Sequence, residues 1–158
     1  MSNNHKKPSI DTTDIKIINI LSDNARASAS SMATEIGLSA PSISERIKRL
    51  QETGIISKFT IELNTELVGY PFSAIVRVKP LPGKIHILQQ RLIELDNCIQ
   101  CDKVTGEDCF IARLLLKSIP ELDDVLESIV ELAETSTAII KKSPVHFLFN
   151  KVTIKNIF

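Results

Sequence analysis

Apolar residues recur at helical spacing from Ile15 through Ile18 to Leu21, with Ile17 and Ile20 beside them. Asp11 precedes the run as an N-cap and Asp14 falls in its first turn, so the pattern predicts a helix over about 12–22, ended by Ser22-Asp23-Asn24. A shorter run with Met32, Ala33 and Ile36 starts behind Ser28 and Ser30 and is stopped by Gly37, which predicts a helix over about 29–36. Leu38-Ser39-Ala40-Pro41-Ser42 opens a third helix. Ser39 is its natural N-cap, Pro41 sits in the first turn where a missing N–H costs little, and Gly54 ends it after Thr53. Short helix, tight turn and longer helix outline a helix-turn-helix at about 29–48. Ile55 to Ile61 then reads as one or two short strands, the mark of a winged variant.

At ~100° per residue, Ile43, Ile47 and Leu50 of the third helix fall within about 60° of one another and face the core. The opposite face collects Pro41, Ser42, Glu45, Lys48, Arg49 and Glu52, with Arg46 on the flank. Hydroxyls near the helix N-terminus and cations further on are the groups that meet phosphates and base edges in a major groove. The expected duplex contacts are therefore Ser39, Pro41, Ser42, Glu45, Arg46, Lys48 and Arg49, with Arg26, in the turn before the second helix, beside the backbone.

The rhythm changes after a turn-rich stretch ending in Gly69 and Pro71. Residues 1–9 then form a flexible tail, 10–60 the winged helix-turn-helix, 61–71 a hinge and 72–158 a second domain. In that domain Phe72–Val78 predicts a strand, and Ile85, Leu88, Leu92 and Leu95 stripe a helix over about 84–96. Ile99–Thr105 and Cys109–Lys117 predict two strands joined by a turn at Gly106-Glu107-Asp108. Pro120 opens a helix striped by Leu122, Val125, Leu126, Ile129 and Val130, and Thr137–Lys142 predicts a fourth strand. The order strand–helix–strand–strand–helix–strand is the ferredoxin-like unit, so the chain is α+β. Its sheet would carry both helices on one face and leave the other to a second copy, which predicts a homodimer. Val145–Phe149 and Val152–Phe158 read as an edge strand or arm added to the same contact.

Composition narrows the class. The 158 residues are 43% hydrophobic and 24% charged, which suits a globular chain rather than a disordered one. No apolar run approaches the ~20 residues of a membrane helix, and the polar start lacks a signal-peptide core, so a cytoplasmic protein without membrane contact is expected. Residues 1–60 hold eight Lys and Arg against six acids, a net of +2, while the remainder holds eleven against thirteen, a net of −2. A mildly basic front end fits a polyanion partner. Cys98 and Cys101 are spaced C-x-x-C, but no second pair follows and the next downstream histidine is His146, so no metal or other cofactor is expected.

Taken in order, Ile10-Asp11-Thr12-Thr13-Asp14, Arg26, Leu38-Ser39-Ala40-Pro41-Ser42, Arg46-Ile47-Lys48-Arg49-Leu50 and Gly54-Ile55-Ile56 resemble the amino-terminal signature of the Lrp/AsnC, or feast/famine, transcription regulators. Val104-Thr105-Gly106-Glu107-Asp108 resembles the turn between the second and third strands of that family's effector domain, and Thr135-Ser136-Thr137 with the following Ala138-Ile139-Ile140 resembles its fourth strand. The resemblance implies a dimer that binds double-stranded DNA through its helix-turn-helix. It also implies assembly of dimers into a tetramer or octamer. A small amino acid is the implied effector, held between dimers at Thr105, Gly106, Glu107, Asp108, Thr135, Ser136 and Thr137. Cys109 stands where the family often has Asp, and Glu131-Leu132-Ala133-Glu134 replaces a common Leu-Pro-Gly stretch, which leaves the effector's identity open.

Two other classes compete. One is a winged helix that binds protein, favoured by Glu45 and Glu52 on the outward face. The other is a small ferredoxin-like enzyme of amino-acid metabolism. Against the enzyme, the chain has no phosphate-cradling glycine loop and no H-E-x-x-H, and its histidines, His5, His86 and His146, are scattered.

Overall fold

A computed structural model describes residues 9–144. They fall into two compact units, divided between Ile61 and Glu62. The expectations for residues 1–8 and for the 145–158 arm lie outside the described residues.

The first unit holds three helices, α1 (Thr12–Asp23), α2 (Ala29–Ile36) and α3 (Ala40–Glu52). Capping chemistry fixes each start. Asp11 accepts from the Asp14 backbone N–H at 2.8 Å, and Asp14 accepts from the Asp11 N–H at 3.1 Å, a reciprocal capping box. Ser28 accepts from Ser31 N–H at 3.0 Å to start α2. Gly37 ends α2 in the left-handed region at φ +83°, where a side chain is disfavoured, and it and Leu38 both donate to Ala33 O. That turn carries the chain into Ser39, which caps α3. Ile17, Ile18, Leu21, Met32, Ala33, Ile43 and Leu50 form the core. Burying each large side chain contributes about 1.5–3 kcal/mol, which is what holds helices this short in place.

The strands expected over Ile55–Ile61 are absent. Ile55 and Ile56 instead pack half-buried against the helical core, and Ile56 N–H donates to Leu50 O. Their β-branched side chains close the end of α3, and no strand among the described residues of this unit offers a ladder to the chain beyond them.

The second unit runs β1 (Phe72–Pro80), α4 (Ile85–Glu94), β2 (Cys98–Lys103), β3 (Phe110–Leu116), α5 (Ile119–Glu127) and β4 (Ala133–Ile139). The sheet order is β2-β3-β1-β4, with antiparallel pairing throughout, the ferredoxin-like arrangement. Strand alternation builds the core. Ala74, Val76 and Val78 of β1 lie opposite Leu114, Ala112 and Phe110 of β3, and all six are buried. Leu88 and Leu92 of α4 and Leu122 and Val125 of α5 pack on that face. The other face carries Ile75, Arg77 and Lys79 of β1 and Ile111, Arg113 and Leu115 of β3. In β2 a bulge lies between Cys98 and Gln100, after which Cys101 pairs with Ala112.

Two expectations in this unit need correction. The fourth strand begins at Ala133, not Thr137, and ends at Ile139. It is an edge strand in which every residue after Ala133 is exposed, so it needs no apolar run to mark it. Helix α5 stops at Glu127; Ile129 is buried in the turn that follows, whereas Val130 is 61% exposed and lies outside the apolar stripe.

Candidate nucleic-acid interface

The exposed face of α3 is set by the helix's own geometry, since Ile43 and Leu50 are buried on the opposite side. At its start the Ser39 hydroxyl caps the helix by accepting from the Ser42 N–H at 3.3 Å and lies 3.0 Å from the Ser42 hydroxyl. Pro41 and Glu45 are exposed one turn apart. Lys48 is 76% exposed, its ammonium 3.7 Å from Glu52 at i+4. Arg26 is exposed in the α1–α2 turn, its N–H held by the Asn24 side chain at 3.0 Å.

Arg46 and Arg49 stand apart from these. Arg46 Nη1 donates to Asp11 Oδ2 at 2.6 Å and to Asp14 Oδ1 at 2.8 Å. Arg49 Nη2 donates to Asp14 Oδ2 at 2.5 Å. Asp14 is fully buried, and each of its oxygens is engaged. The Arg46 guanidinium holds the Asp11 carboxyl below the usual carboxylate range, helped by the Asp14 N–H. The two acids in turn push Arg46 further up. The same carboxylate thus caps α1 and grips α3. The sequence pattern marks Asp11 only as a cap and Asp14 only as a first-turn charge. A signal was present: Asp14 lies on the stripe of Ile17, Ile18 and Leu21, where a charge requires partners.

In the second unit the expected effector residues are divided. Thr105, Gly106, Glu107 and Asp108 form the bend between β2 and β3, with Gly106 at φ +114°. Val104 N–H donates to Cys109 O at 2.8 Å, closing the bend. Among the described residues, Cys109 is the one non-glycine residue with positive φ, at 58°. Val78 of β1 pairs with Phe110 on one side and Thr135 on the other, which brings the bend and the start of β4 to the same end of the sheet. Ser136 pairs with Arg77, and strand alternation sets it on the opposite face from Thr135 and Thr137. A separate open groove of about 650 Å³ lies between α4 and the end of α5, lined by His86, Gln90, Arg91, Glu94, Glu127 and Glu131 among others; no expected effector residue lines it.

A helix-turn-helix unit followed in one chain by a two-helix, four-stranded antiparallel unit defines a DNA-binding transcription regulator. Residues 10–57 match the winged helix-turn-helix DNA-binding family, and residues 73–147 match the Lrp/AsnC ligand binding domain. The HTH-type transcriptional regulator FL11 of Pyrococcus abyssi is 32% identical over 138 residues, covering 85% of this chain and 91% of that protein. Ptr1 of Methanocaldococcus jannaschii is 34% identical over 117 residues, covering 74% and 79%. The structure of B. subtilis LrpC aligns with a TM-score of 0.83 at 26% identity, covering 89% of this chain and 100% of that one. The feast or famine regulatory protein of M. tuberculosis complexed with L-methionine gives 0.80 at 28%, covering 87% and 96%. The chain belongs to the Lrp/AsnC family of transcription regulators.

Proposed function

We propose that the protein acts as a homodimer that lays α3 of each copy into successive major grooves, about 34 Å apart, and that a small amino acid modulates this binding. The observation that carries the first part is the solvent-facing side of α3, with Pro41, Glu45 and Lys48 exposed behind an N-terminus bearing Ser39 and Ser42. Helix N-termini favour phosphate, and Lys48 supplies charge. Arg26 adds a backbone contact from the neighbouring turn. A gel-shift titration across salt tests this. Lys48→Ala should reduce the slope of log affinity against log salt by about 0.9, one phosphate contact. An unchanged slope removes α3 from the groove, and salt-independent binding would favour a protein partner for this face.

The effector reading is supported by the ligand-binding domain match and by the methionine complex of the M. tuberculosis relative. We place it at the Thr105–Asp108 bend and the Thr135–Thr137 strand, between dimers, with no other cofactor. Dimerisation uses the open sheet face, where Ile75, Ile111 and Leu115 lie beside Arg77 and Arg113. Dimers then join into a tetramer or octamer. A cytoplasmic, non-enzymatic regulator follows from the same reading. Equilibrium sedimentation with each of the common amino acids tests it. A shift in mass or melting temperature with one of them is expected, and no shift with any defeats the effector reading.

A further inference from the structure

We infer that Asp14, with Asp11, is a positioning residue that withholds Arg46 and Arg49 from the DNA backbone, so that duplex binding depends on Lys48 and the polar start of α3. This rests on the proposal that α3 enters the groove. Two guanidinium charges face two carboxylates within 2.5–2.8 Å, and the cluster is electrically neutral. Asp14 is fully buried, so its charge has no access to water and depends on these partners. Pulling either arginine away to a phosphate would leave that carboxylate short of a donor in a low-dielectric site, whereas a phosphate offers the arginine only what it already has. The arrangement therefore favours keeping both arginines where they are.

The consequence concerns discrimination. Phosphate charge binds every duplex alike, and base contacts select among them. On the outward side of α3 the remaining groups are Lys48 with Glu45 and Glu52, which carry a net charge of −1. By neutralising two arginines, the acids on α1 lower affinity for random sequence and leave the choice to contacts made by Ser39, Pro41, Ser42 and Glu45. The acids on α1 thus act on specificity through α3 without touching DNA.

The test measures salt dependence of binding for the full chain on two duplexes, one random and one selected from a random pool by the wild-type protein. Arg46→Gln and Arg49→Gln should leave the salt slope unchanged on both. Asp11→Asn keeps an N-capping side chain but removes one charge from the cluster. It should steepen the slope by up to about 0.9, which over a fourfold rise in salt is about 3.5-fold in affinity, and raise random-duplex affinity at low salt. The ratio of selected to random binding should fall. Asp14→Asn should act in the same direction and further; should it fail to fold by circular dichroism, Asp11→Asn decides. A slope reduced by about 0.9 in a folded Arg46→Gln or Arg49→Gln protein would show a phosphate contact and overturn the inference. So would an Asp11→Asn protein with unchanged slope and unchanged random-duplex affinity. Lys48→Ala in the same series separates the two ideas: if it too is silent, the groove placement of α3 has failed instead.

Discussion

Arg49 reaches from the third turn of α3 to the carboxylate of Asp14 in the first turn of α1, 2.5 Å away, with the acid sealed from solvent and the guanidinium side chain 48% exposed. The pair is lopsided, and the two halves should respond differently to removal. Replacing both Arg46 and Arg49 by alanine leaves a buried carboxylate without its charged partners, which costs about 3–5 kcal/mol. Asp14→Leu leaves two cations that water reaches, and the loss is nearer 1–2 kcal/mol, including the capping contact. Urea unfolding of the two variants should rank them in that order. Equal losses would mean that the burial of Asp14 does not govern the pair.

Acidification should weaken the fold through Asp11. Its carboxyl titrates below the ordinary range because Arg46 and the Asp14 N–H favour the ionised form. A group with a lowered folded value contributes stability that is present above the unfolded value, about pH 4, and lost as pH falls through the folded one. The urea midpoints of the wild type and Asp11→Asn should therefore differ at neutral pH and converge in acid. Glu121, held low chiefly by the Lys117 N–H and then by Asn97, contributes with the same sign in the second unit.

Leu50→Ala should cost about 2–5 kcal/mol, because Leu50 is 1% exposed at the centre of a three-helix core. Hydrogen exchange can localise the loss. Amides of α1–α3 should lose protection, while those of β1 and β3 keep theirs if the second unit's core is independent. Equal loss in both units would refute that independence.

Cys109→Val should destabilise despite the gain in apolar surface. The residue sits at φ 58°, where a β-branched side chain is strained by about 1–2 kcal/mol. Cys109→Asn tolerates that backbone better and serves as the comparison in thermal unfolding. A valine variant as stable as the asparagine one would mean that the bend relaxes out of the left-handed region.

The helices were legible because each carries its own punctuation. Ser28, Gly37 and Ser39 act within four residues of the ends they set, and the expected boundaries of α2 match those observed. The central strands were legible as apolar runs, Phe72–Val78 and Cys109–Lys117, although only one face of each is buried against the helices. The edge strand β4 was not: Glu134-Thr135-Ser136-Thr137 pairs with β1 through backbone groups that any sequence possesses. For α3, a helical projection gives the direction of Arg46 and Arg49 but not what they meet. Their partners lie 32 to 35 residues earlier. Thr135 and the bend at Gly106 likewise come together only through Val78, a residue with no chemical mark of its own.

The bulge in β2 sets the register of that strand against β3. From Cys98 to Cys101 the chain uses three steps where β3 uses two, from Leu114 to Ala112. Deleting one of the two residues between Cys98 and Cys101 would remove the bulge and leave Cys101, Asp102 and Lys103 opposite Ala112, Ile111 and Phe110; straightening the strand without a deletion would instead slip it by one, turning Asp102 toward the helices and Lys103, which now lies 5.7 Å from the Phe110 ring centre, away from it. Descendants of this sequence can lose one codon between Cys98 and Cys101 and keep the ladder, whereas a deletion just beyond Cys101 would turn over every later side chain of β2.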